Sequence, residues 1–295
     1  DIRIRGTSPL EDIEIEADGN ITQNADGKTI EATGGNITLT SNNGNIGTPN
    51  GTALGFSLTG SGTINADAQN NGSVVLKGYD TDINTSSIKA KNDIDLTTVG
   101  NGSINIDSTI TAGNDIKLHS ANSLTINEKL TAGNDVDLET LNGDILVNNE
   151  INATNKIDIN SSGSIKQNNN GLLVSKDIDL DASGDIGSST TAIKVNATGN
   201  VEADASNIYL TSSQDLKLGS VVANGVSEIT TTRTDVFMSE ALTYKIDTFE
   251  GPLDLLLSLI AKNKMEIADI RITVIFEQYM AYLDRMKQMD MEIAA

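Results

Sequence analysis

The sequence predicts a mainly β protein, a parallel β-helix of about ten coils followed by a short all-α C-terminal segment. Two observations predict it. Apolar-x-apolar pairs recur with a period near 21 residues, and composition changes abruptly near Met238. All six Met fall in the last 58 residues, whereas twenty-five of the 26 Gly precede Met238 and Asn263 is the one Asn after it. The chain therefore reads as residues 1–229, a β-helix repeat region; 230–237, a linker or junction; and 238–295, a helical segment.

The repeat is clearest in its middle. Ile94/Leu96, Ile116/Leu118, Val136/Leu138, Ile157/Ile159, Ile178/Leu180 and Val201 form one column. Ile104, Leu124, Ile145, Ile165, Ile186 and Ile208 form a second, and Ile110, Leu130, Ile151, Leu172 and Ile193 a third. Three short strands per coil satisfy these spacings, each with period-2 alternation and bounded by Gly, Asn, Asp or Ser. Upstream the first column is expected to continue through Val74/Leu76, Phe56/Leu58 and Ile37/Leu39, and more loosely from Ile13/Ile15. Stacking each strand on its copy one coil later gives a solenoid with an Ile, Leu and Val interior. At about 4.8 Å per coil, ten coils make a rod roughly 50 Å long.

The polar columns carry the candidate chemistry. Between the apolar residues of the first column stand Asp95, Lys117, Asp137, Asp158, Asp179 and Glu202, so Lys117 can pair with Asp95 and Asp137 across coils. Before that column stand Asp93, Asp115, Asp135, Lys156 and Asp177. Stacked carboxylates repel unless solvated or bridged by a cation, which makes Asp93, Asp115 and Asp135 the candidate metal ligands. The glycine-rich nonapeptide of calcium-binding β-rolls is absent, so the reading is a solvated face, with no metal and no cofactor. Asn92, Asn114, Asn134 and Asn155 are expected to satisfy turn backbone.

Composition excludes several functions. A net charge of −21 argues against direct nucleic-acid binding, and zero Cys removes disulfides and thiolate chemistry. No apolar run is long enough to span a bilayer. The chain starts at Asp1 without a basic-then-apolar leader, so either it is not exported or an upstream piece is missing. A carbohydrate-cleaving β-helix is a further reading, but four aromatics and three Arg up to Phe237 are few for sugar subsites, and Asp177, Asp179 and Asp181 read as a solvated edge. His119 has no assignable partner, no catalytic residue stands out, and the chain is expected not to be an enzyme.

After Met238 the periodicity changes. Glu250-Gly251-Pro252 introduces Leu253, Leu256, Leu257 and Ile260 at i, i+3, i+4 and i+7, and a longer helix is expected from about Ile272 to Met289 with Ile275, Tyr279 and Leu283 on one face. Two amphipathic helices make a small core and call for a third helix or a partner.

Two resemblances follow from these residues. The Gly-Asn-Asp-Ile-x-Leu unit at 113–118 and the Gly-Asn-Asp-Val-x-Leu unit at 133–138 resemble the repeats of filamentous-haemagglutinin-like adhesins over about 10–225, which implies an exported surface rod with an unknown surface ligand. The string Tyr244-Lys245-Ile246-Asp247-Thr248-Phe249-Glu250-Gly251-Pro252-Leu253-Asp254-Leu255-Leu256-Leu257 resembles the amino terminus of the ScpA family of bacterial kleisins. That resemblance implies packing against the neck of an SMC (structural maintenance of chromosomes) subunit in chromosome condensation and segregation. It makes Leu253, Leu256, Leu257, Ile260, Ile275, Tyr279 and Leu283 partner-binding residues. The stretch that binds ScpB in that family and its winged helix have no counterpart here. One resemblance implies the cytoplasm and the other the cell surface, so a junction of two coding sequences near Met238 is the competing account.

Overall fold

The computed structural model describes residues 12–231 apart from 69 and 169, together with the backbone of strands Ile2–Gly6 and Val236–Met238. The chain divides into two compact units, Asp1–Ser239 and Glu240–Ala295. The second unit, including the expected helices and the seven residues of the expected SMC contact, lies outside the described residues.

The first unit is a parallel β-solenoid of about ten coils. Strands Ile94–Val99, Ile116–Ser120, Asp135–Thr140, Lys156–Ser161 and Asp177–Ala182 lie in parallel on one face, with Ile94, Ile116, Val136, Ile157 and Ile178 in register. A second face stacks Ile104, Leu124, Ile145 and Ile165, extended by isolated pairs to Ile186 and Ile208. A third face stacks Ile110, Leu130 and Ile151. Every inward apolar residue of these columns is essentially inaccessible to water, which makes the interior one continuous stripe of Ile, Leu and Val.

Local chemistry explains the corners. Thr98, next to the end of its strand, and Ser120, Thr140 and Ser161, which end theirs, are buried on the first face, and each donates to a carbonyl of the turn that follows: Thr140 Oγ1 to Gly143 O at 2.9 Å and Ser120 Oγ to Ser123 O at 2.9 Å, for example. Burying a hydroxyl is tolerated because its proton is bonded. At the opposite corner, consecutive turns stack backbone on backbone. A Cβ on Gly133 would stand 2.0 Å from the Gly113 carbonyl oxygen, and one on Gly113 would stand 1.9 Å from that of Lys91. Only glycine fits there.

The structure corrects the expected register in three places. Ile13–Ala17 and Ile37–Ser41 belong to the third face, pairing onward with Ile64–Ala68, and not to the first. In the first face Leu54, not Leu58, is opposite Leu76, and Ile30–Thr33 precedes it. Within the third column Leu173 replaces Leu172: it pairs with Ile151 and Val195, whereas Leu172 sits opposite Glu150 and Ile193 pairs with Leu210. The Gly171-Leu172-Leu173-Val174 string is apolar on both parities, so only the neighbouring coils decide which residue faces inward.

At the N-terminal end Ile2–Gly6 pairs antiparallel with Ile13–Ala17. At the other end Val236–Met238 pairs in parallel with Leu216–Leu218, so strand pairing reaches into the segment read from sequence as a linker.

Candidate functional site: the carboxylate face of the rod

The outward side of the first face carries three columns of polar residues. One runs Asp95, Lys117, Asp137, Asp158, Asp179 and Glu202, and the next Thr97, His119, Glu139, Asn160, Asp181 and Asp204, all in strict register. The third, at the turn, runs Asp93, Asp115, Asp135, Lys156 and Asp177. Successive copies in such a column are about 4.8 Å apart, so the charges interact strongly with one another.

The turn column is where the candidate metal ligands fall, and its geometry is that of a hydrogen-bond ladder. Asp93 Oδ1 accepts from Asn114 Nδ2 at 2.6 Å. Asp115 Oδ1 accepts from Asn134 Nδ2 at 2.8 Å and from the Asp135 amide at 3.1 Å. Asp135 Oδ1 accepts from Asn155 Nδ2 and from the Lys156 amide, both at 2.9 Å. Each carboxylate thus caps the turn one coil later, and its charge is met by amide donors. The side chains of Asn114, Asn134 and Asn155 serve the carboxylates rather than turn backbone, a correction to the sequence expectation. Among the described residues no group of three or more His, Asp or Glu is placed to hold a metal ion.

The acids of the other two columns are met by Lys156, from the turn column, and by His119. Lys156 Nζ lies 2.6 Å from Asp158 and 3.0 Å from Asp179. Partial burial lowers its pKa, but the two carboxylates outweigh burial and hold the ammonium well above its ordinary value. His119 sits between two acids from the next coil, Nδ1 being 3.1 Å from Glu139 and Nε2 3.1 Å from Asp137. Its Nε2 makes no hydrogen bond within the described residues. Burial raises the Asp137 carboxyl, but His119, Lys117 and Lys156 together bring it below its usual value.

Sequence reasoning left His119 without partners. The signal that could have found them was the 20-residue step to Glu139, which the strand register makes a direct neighbour. Lys117 is in register with Asp95 and Asp137 as expected, and acts on both through its charge.

Elsewhere on the face burial raises two carboxyls. Asp95 is raised by burial, partly offset by Lys117. Asp181 is raised by burial and then by Asp179, Asp204 and Asp158. The face is therefore an extended anionic strip, with Asp177, Asp179 and Asp181 at its most acidic part.

Fold and face define the described part as a parallel β-solenoid with an anionic outer face. The similarities of the chain to known proteins concern a short stretch. It is 57% identical over 54 residues to segregation and condensation protein A of Clostridium acetobutylicum, which covers 18% of this chain and 22% of that protein. It is 52% identical over 56 residues to the protein of the same name in Ligilactobacillus salivarius, covering 19% and 22%, and 50% over 58 residues to that of Enterococcus faecalis, covering 20% and 22%. The chain thus contains a partial segment similar to segregation and condensation protein A, and spans about a fifth of the length of these relatives. No family model matches the chain, and no solved structure matches it.

Proposed function

We propose that this is a non-enzymatic, two-part chain: an adhesin-like β-solenoid rod joined to a partial kleisin segment that binds the neck of an SMC subunit. The observation that carries the kleisin half is the 57% identity over 54 residues to segregation and condensation protein A. The Leu253, Leu256, Leu257 and Ile260 stripe, with Ile275, Tyr279 and Leu283, is its contact surface in this reading. The rod supplies length and an anionic face that repels nucleic acid, so any link to DNA runs through the partner. Its own surface ligand belongs to the adhesin half of the reading.

The test is calorimetric titration of the full chain with an SMC head-and-neck fragment. Binding that is lost in a Leu256→Glu, Leu257→Glu double variant supports the reading, and no binding by the unaltered chain refutes it. Capture of the full chain on immobilised matrix proteins or glycans tests the rod, and capture of nothing weighs against adhesion.

The compositional break near Met238 favours a second reading, a surface adhesin rod with an artefactual C-terminal junction. One peptide spanning residues 225–250, identified by mass spectrometry from the source organism, excludes it.

A further inference from the structure

We infer that residues 22–28 form a releasable strap that decides which strand ends the first face of the rod. The segment leaves the solenoid at Ile21, crosses the outer side of strand Leu54–Thr59 and returns into Ile30–Thr33, the first strand of that face. It is anchored two coils away. The Tyr79 hydroxyl donates to Asp26 Oδ1 at 2.5 Å and accepts from the Gly27 amide at 3.0 Å. Lys77 Nζ lies 3.4 Å from Asp26 Oδ2 and 5.2 Å from the centre of the Tyr79 ring. Gln23 Oε1 accepts from the Gly55 amide at 2.8 Å.

Gly55 is the seat of the crossing. A Cβ there would stand 2.2 Å from the Lys28 carbonyl oxygen and 2.9 Å from Tyr79 Cε2, so the strap backbone lies on a strand position that must lack a side chain. Among the described residues, 22–28 contribute no backbone-to-backbone hydrogen bond, and most of the segment is exposed. Its hold therefore depends on a few side chains, Tyr79 foremost, and a segment held this way opens at a free energy well below that of the solenoid. Closed, the strap tethers the four-residue strand Ile30–Thr33 as the end of the face. Open, it releases that strand and makes the edge Leu54–Thr59, whose Leu54, Phe56 and Leu58 are otherwise buried.

Amide hydrogen exchange of the full chain tests this. Tyr79→Phe keeps the ring but removes the hydroxyl, and Gly55→Ser displaces the Lys28 carbonyl. Both should speed exchange about tenfold at the Gly27 amide, across 30–33 and at the amides of 54–59, while 94–210 stays unchanged. Unchanged exchange at Gly27 and 30–33 in both variants overturns the strap, and so does a uniform rise along the rod, which would mean a general loss of stability.

Discussion

Leu138 and Leu141 differ in sequence position by three and in environment almost completely, which makes them a direct test of the solenoid. Leu138 is fully buried, in register with Leu118 on one side and Ile159 on the other, whereas Leu141 is 62% exposed at a corner. Leu138→Ala removes three carbons, worth roughly 2.4 kcal/mol at about 0.8 kcal/mol per buried methylene. Both neighbouring coils are held by strand hydrogen bonds and cannot collapse into the gap. A void on the order of 80 Å³ then adds about 2 kcal/mol at ~24 cal/mol per Å³. The expected loss is about 4 kcal/mol, near the upper end for such substitutions. Leu141→Ala should change stability by less than ~0.5 kcal/mol, as exposed positions do. Urea unfolding followed by circular dichroism suits a chain with no Trp. A loss below ~1 kcal/mol for Leu138→Ala, or equal losses for both, would refute the stacked core.

Other outcomes follow from the turns and the charged face. Gly133→Ala places a methyl against the Gly113 carbonyl and should cost about 1–3 kcal/mol by the same assay, while Gly19→Ala, with open space around it, should cost far less. Asp181 has its folded pKa raised, so the folded state binds its proton more tightly and this residue's contribution to stability falls as pH rises through the folded value. Asp181→Asn should therefore raise the Tm at pH 7, and the gain should vanish below about pH 4, near the unfolded pKa; a gain that persists at pH 3 contradicts the assignment. Lys156→Gln removes the shared partner of Asp158 and Asp179 and should cost about 1 kcal/mol or less at low salt, because these groups are partly exposed, with the difference shrinking in 1 M NaCl.

Much of the first unit was legible because a solenoid repeats one residue spacing. From Ile94 to Val201 the 20- to 23-residue step by itself determined which residues stack, and the structure pairs them in that register. Upstream the steps in the third face lengthen to 24 and 27 residues, and alternation at period 2 reads the same on any face, so Ile13 and Ile37 could not be placed from sequence. The same ambiguity separates Leu172 from Leu173.

The candidate site divides in the same way. Sequence alone located the carboxylate columns and the apolar stripes after Met238. Tertiary structure decided that Asp93, Asp115 and Asp135 cap successive turns, that His119 lies between Asp137 and Glu139, and that Tyr79 holds Asp26 fifty-three residues earlier. The physical reason is direction. Periodicity specifies which residues face outward, but a side chain's partner depends on which coil, turn or crossing segment lies beside it, and that is set only when the chain is wound.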